Sequence, residues 1–145
     1  MKKRIVAVLL SFVIVVSFVP FSAFSYEDEL NDTKASSYLN MYTASLSSKG
    51  ITGKLTLAYQ VFATHNMDKV GVFGIIVRNN DGTIHNIIWG TTSNGLLNSN
   101  TWFHAGSYTL NLTSGNTYYC TVIFVAEDAN GGDTRSIITQ HVTCP

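Results

Sequence analysis

Between Lys54 and Thr64 the chain alternates: Leu55, Leu57, Tyr59, Val61 and Ala63 stand on one parity, with Lys54, Thr56, Ala58, Gln60 and Thr64 on the other. A period of two sends neighbouring side chains to opposite sides of an extended backbone, so this segment is expected to be a strand with one buried face. Val70 to Arg78 is a more continuous apolar run containing Gly71 and Gly74, the pattern of a central strand packed closely by neighbours. Asn79-Asn80-Asp81-Gly82 then predicts a tight turn, and Ile84 to Thr91 the returning strand, because Asp81-Gly82 supplies the positive φ that such turns require. Asn94-Gly95 and Ser99-Asn100 mark a longer loop, and Met67 to Gly71 a connection with Asp68 at its turn. Outside the N-terminal leader no segment keeps an i, i+3, i+4, i+7 apolar pattern. Six or seven strands with frequent turn signals predict an all-β fold, a two-sheet antiparallel sandwich, because an open sheet would leave an apolar face wet.

The N-terminus predicts export. Lys2, Lys3 and Arg4 precede an apolar run from Ile5 to Val19, Pro20 breaks it, and Ala23 and Ser25 suit cleavage before Tyr26. That run is shorter than the roughly 20 residues that cross a bilayer as a helix. The expected organisation is a signal-peptide helix over 1–25, a flexible acidic tail over 26–35 and a single β-sandwich domain over 36–145, secreted to the extracellular space. The chain shows neither an LPxTG-like sorting tail nor a lipobox cysteine.

Cleavage would remove three of nine basic residues and none of nine acidic ones, leaving a net charge near −3. The six remaining Lys and Arg are scattered, which argues against nucleic acid as a partner and against a membrane surface once the leader is gone.

Two cysteines in an exported chain are most simply a pair. The strands Tyr118–Ala126 and Thr134–Thr143, joined by Asn130-Gly131-Gly132-Asp133, would place Cys120 opposite Cys144, Val122 opposite Val142 and Ala126 opposite Ile138. The expected Cys120–Cys144 disulfide would stabilise the fold by about 3 kcal/mol.

The segment Leu112-Thr113-Ser114-Gly115-Asn116-Thr117-Tyr118-Tyr119-Cys120-Thr121-Val122 resembles the corner between strands E and F of fibronectin type III domains. That resemblance implies an immunoglobulin/fibronectin type III-like sandwich in which Tyr118 caps the corner with its hydroxyl. The alternative for Tyr118 is an ordinary core tyrosine. Ser36-Ser37-Tyr38-Leu39, Met67-Asp68-Lys69-Val70-Gly71, Tyr118-Tyr119 and Gly131-Gly132-Asp133-Thr134-Arg135 resemble an uncharacterised family of small secreted proteins of Gram-positive bacteria. The family resemblance implies an exported bacterial sandwich and no particular reaction.

Three groups of residues are candidates for chemistry. Trp89, Trp102 and Phe103, with His104, His85 or Asn86 near the edge, form a candidate stacking platform for sugar rings; the alternative is core packing. Asp128, Asn130 and Asp133, beside Glu127, gather oxygen ligands on one turn and are a candidate Ca²⁺ site; the alternative is ordinary turn chemistry, with Asp133 paired to Arg135. His65, His85, His104 and His141 lack zinc-binding spacing, and no nucleophile elbow accompanies the serines. The sequence implies no cofactor and no enzyme. It predicts a secreted binding or interaction module for an unknown protein or glycan. The alternatives are a structural matrix protein self-associating through a sheet edge, its oligomeric state open, and a small secreted hydrolase.

Overall fold

A computed structural model describes residues 37–145; the expected leader and acidic tail lie outside the described residues. Nine strands and no helix make up the described chain: β1 (Leu39–Ser47), β2 (Lys54–Met67), β3 (Lys69–Asn79), β4 (Ile84–Trp89), β5 (Leu97–Asn98), β6 (Thr101–Asn111), β7 (Thr117–Asp128), β8 (Gly131–Ile138) and β9 (Val142–Thr143). They form two antiparallel sheets. One has the order β1-β2-β6; the other has the order β4-β3-β7-β8, with β5 beside β3 and β9 beside β7.

The alternation in β2 explains the layering. Leu55, Leu57, Tyr59, Val61 and Ala63 are buried and share one core with Val70, Val72, Ile75 and Val77 of β3 and Val122, Phe124 and Ala126 of β7. Each such aliphatic side chain contributes about 1.5–3 kcal/mol when taken fully out of water. Only Asp68 separates β2 from β3, so the chain passes from one sheet to the other within a single residue.

The β3–β4 turn follows the sequence: Gly82 has φ 88°, and Asp81 Oδ1 accepts from the Thr83 N–H at 3.0 Å and its hydroxyl at 2.7 Å. The β7–β8 turn differs from expectation. Asp128 pairs with Gly131, leaving only Ala129 and Asn130 between the strands, because Asp128 Oδ1 accepts the Asn130 N–H at 2.7 Å and closes the turn early. Gly131 and Gly132 become strand residues.

That shorter turn overturns the expected cysteine pairing. Val122 faces Ile137 and Ala126 faces Asp133, while Thr139 closes on Cys120: its N–H donates to the Cys120 carbonyl at 2.9 Å. After Thr139-Gln140-His141 the register restarts in β9, and Cys144 bonds the Gly115–Asn116 backbone, 2.8 Å in each direction. Asn116 and Cys120 lie four residues apart, roughly 13 Å along an extended chain, whereas bridged Cα atoms lie within about 7 Å. Cys120 and Cys144 are therefore two free, buried thiols in the core, and burial pushes the Cys120 thiol up to about 12.

Tyr118 is fully buried at the start of β7, and its hydroxyl accepts the Thr113 N–H at 3.3 Å and the Asn116 side-chain amide at 3.5 Å. Replacing Tyr118 with Phe is expected to cost about 1 kcal/mol in urea unfolding, the net worth of one such bond. Thiol titration gives a second check. Native protein should leave both thiols unlabelled by a water-soluble disulfide reagent, and unfolding without reductant should release two titratable thiols, where a bridged pair would release none.

Candidate functional site

The solvent side of the β4-β3-β7-β8 path of the larger sheet is rich in apolar side chains. Cross-strand pairing sets Ile87, Ile76, Thr121 and Ile138 in one row, and Trp89, Gly74, Ile123 and Ser136 in the next. Trp89 is 59 % exposed, and Phe73, Ile84, Ile87 and Ile138 are also solvent-exposed. The indole lies over Gly74: a Cβ there would meet the Trp89 ring at 3.5 Å and the Ile123 side chain at 3.8 Å, ordinary contact distances. Phe73, displaced at a register shift between Val72 and Gly74, meets Trp89 edge-on with ring centroids 5.6 Å apart.

The loop after β4 holds Trp89 in place. Asn94 donates from its amide to the Trp89 carbonyl at 2.8 Å and accepts the Thr91 and Leu96 N–H groups at 2.9 and 3.2 Å. A Cβ at Gly90 would lie 1.9 Å from the Val72 carbonyl oxygen, and one at Gly71 would lie 2.3 Å from that of Leu96. Only glycine permits this loop to lie against β3. The loop's tip reaches the opposite sheet, where the Gly95 carbonyl accepts the Tyr59 hydroxyl at 2.6 Å and His104 Nε2 at 2.7 Å. Burial raises the Tyr59 hydroxyl above the ordinary phenol range.

Trp102 and Phe103 belong to a different surface. Phe103 packs against Phe62 at a tilt of 38° with centroids 4.6 Å apart, and Trp102 lies 5.9 Å from Phe62 and 6.0 Å from Phe103, on the three-stranded sheet. Met41, paired with Phe62, extends this row to β1. Among the described residues no ring contact joins Trp89 to either, so the expected three-ring platform divides into two patches. Its expected polar edge is dispersed as well. His104 is held by Gly95, His85 packs edge-on against Tyr118 at 5.1 Å, and Asn86 accepts its neighbour's Ile87 N–H at 2.8 Å.

The carboxylates at the β7–β8 turn are spoken for. Asp128 bonds His65 at 2.9 Å, Glu127 forms an ion pair with Lys69, and Asp133 accepts the Tyr38 N–H at 3.1 Å. The Tyr38 hydroxyl donates to the Asn130 carbonyl at 3.1 Å, so the turn anchors the chain where it enters β1. Asp68 lines the same shallow hollow from the β2–β3 junction. Arg135, expected to pair with Asp133, donates to the Thr134 carbonyl. Among the described residues no three His, Cys, Asp or Glu side chains are arranged to hold a metal ion.

Thr64, His65 and Asp128 come closest to a nucleophile relay, with the Thr64 hydroxyl 3.0 Å from His65 Nδ1. That hydroxyl donates to the Ser37 carbonyl at 2.9 Å, so the three tie the entry of β1 to the ends of β2 and β7.

The sequence reading missed Phe62, Phe73, Ile76, Ile87, Ile123 and Ile138. For Phe73, Ile76 and Ile87 the signal was present: in Val70–Arg78 and Ile84–Thr91 both parities are apolar, and a two-layer fold covers only one of them. No family model, curated protein or solved structure matches the chain.

Hydrogen bonds from His65 and the Asn130 N–H hold the Asp128 carboxyl below its ordinary value of 3.8. The unfolded chain therefore takes up the proton first. The stabilisation is complete above the ordinary value and is lost as pH falls through the folded one. Asp128→Asn is expected to lower the thermal midpoint at pH 7, with the difference from the parent shrinking as pH falls below the ordinary carboxylate value, in melts followed by circular dichroism.

Proposed function

We propose that the chain is an exported, non-enzymatic binding module of the immunoglobulin/fibronectin type III-like kind, with its contact surface on the solvent side of β4-β3-β7-β8. The observation that carries this reading is the apolar face around Trp89. Soluble monomers seldom leave a tryptophan, a phenylalanine and several isoleucines contiguous and exposed, and such patches mark contact surfaces. A tryptophan seated on a flat sheet is also the residue type that dominates binding energy at interfaces.

The finer fold assignment draws support from strand order. Three strands, β1-β2-β6, oppose a sheet in which β3, β7 and β8 are neighbours, which parallels the A-B-E and C-F-G groupings of immunoglobulin-like domains. The Tyr118 hydroxyl bonding upstream backbone fits the corner of that family. Export rests on the basic, apolar and small-residue succession over 1–25, and the resemblance to small secreted proteins supports it.

The test is retention on purified peptidoglycan sacculi and on intact cells of the producing species. Trp89→Ala should weaken retention by about thirtyfold, the loss typical of an interface anchor, while Trp102→Ala leaves it unchanged. Equal retention of parent and Trp89→Ala, or no retention of the parent on either material, would sink the assignment.

A further inference from the structure

The outer strands of the two sheets are protected unequally. β8 carries Asp133 and Arg135, β4 has only six residues, and the Gln140 amide donates to the Leu46 carbonyl of β1 at 2.5 Å. β6 bonds to β2 on one side only, runs eleven residues from Thr101 to Asn111, and contains no Lys, Arg, Asp, Glu or Pro. Charge, proline and shortness are the usual guards of a sheet edge, and β6 has none of them.

Its free side can be assigned by parity. Beyond the end of β6 the Leu112 N–H donates toward β2, to the Gly53 carbonyl at 2.9 Å, whereas the Phe103 N–H and carbonyl both bond the Thr101 hydroxyl, at 3.2 and 3.1 Å. In an antiparallel strand both backbone groups of one residue point the same way, so the odd-numbered residues present theirs away from β2. Ala105, Ser107 and Thr109 of that set are exposed.

We propose that the β6 edge is a self-association surface, in which two copies pair β6 with β6 antiparallel about a twofold axis at Gly106 and join two three-stranded sheets into one of six. The occupant is argued from the symmetry of the strand itself, which has Gly106 at its midpoint. This register sets Ala105 of one copy opposite Ser107 of the other, pairs whose outward backbone groups exchange two hydrogen bonds each, and brings Phe103 opposite Thr109, where the Phe103 N–H and carbonyl would give up the Thr101 hydroxyl to pair. On the inner side it sets Trp102 opposite Leu110 and His104 opposite Tyr108. No carboxylate or Lys/Arg cation meets another across the seam.

Gly106 sits where paired Cα atoms approach most closely, about 4.5 Å. Glycine is already required there, because a Cβ would lie 2.7 Å from the Tyr59 hydroxyl. Gly106 therefore brings no side chain of its own to the axis, and the Tyr59 hydroxyl fills the space on its inner side. The surface is separate from the Trp89 face, so either proposal can fail without the other.

Sedimentation velocity from micromolar to millimolar concentration, on the chain expressed from Met1 and purified as the host delivers it, should show monomer passing to dimer and stopping there. Ala105→Lys with Ser107→Lys places like charges opposite each other across the axis and should weaken the dimer by about tenfold or more, with the thermal midpoint preserved. Thr43→Lys, on the same outer face at β1, should leave the dimer intact. In the unaltered protein, hydrogen exchange at the Ala105, Ser107 and Thr109 amides should slow as concentration rises. A monomer throughout, association that survives the lysine pair, or exchange at these amides that ignores concentration would each overturn the proposal.

Discussion

Everything in this domain depends on covering one face of β2. Five buried residues at alternate positions cannot be shielded by β1 and β6, which lie in the same sheet, so a second layer must close over them. The chain supplies that layer at once. Asp68 alone separates β2 from β3, and Met67 on one side and Val70 on the other both enter the core. With β3 fixed across from β2, β7 and β4 take their places beside it. The remaining strands then serve mainly to close the ends of a core already defined by β2, β3 and β7.

A second constraint arises from the return journey. The chain must travel from β4 back to the three-stranded sheet, and the loop over residues 90–100 does so by lying directly on β3 backbone. Gly71 and Gly90 permit the approach, and the Gly95 carbonyl, holding both Tyr59 and His104, fixes the far end. The apolar surface at Trp89 and the start of β6 are therefore set by the same piece of chain. A change that loosens the loop would disturb both, even though the two surfaces share no side chain.

How far the sequence revealed this follows from the range of each signal. The strands β2, β3 and β4 and the Asp81-Gly82 turn were legible because alternation and positive φ are local properties. The β7–β8 register was not. Asn130-Gly131-Gly132-Asp133 looks like a turn on composition, but the Asp128 carboxylate closes the chain two residues sooner, and the Gly131 position is occupied by Tyr38 arriving from the other sheet: a Cβ there would lie 2.6 Å from its hydroxyl. That contact spans more than ninety residues and leaves no trace in local spacing. The cysteine pairing failed with the register on which it was built. Trp89, Trp102 and Phe103 are each exposed, yet their division between two sheets was decided by the crossing at residues 90–100.

The two solvent faces raise a final question of balance. The three-stranded sheet presents the rows Thr43-Gln60-Ala105, Ser45-Ala58-Ser107 and Ser47-Thr56-Thr109, uncharged and mostly polar, below the apolar row of Met41, Phe62 and Phe103. The β4-β3-β7-β8 path of the larger sheet presents isoleucine and Trp89. The first keeps the apolar-in, polar-out alternation by which antiparallel sheets ordinarily meet water, and the second does not. Folding alone does not require this, because the core is filled by the inward parity and would be unchanged by lysine or glutamate outside. On the β4-β3-β7-β8 sheet the Trp89 ring lies over Gly74 at a distance that a Cβ would meet only in ordinary van der Waals contact, 3.5 Å, so the seat tolerates a small side chain while the indole itself stays open to solvent.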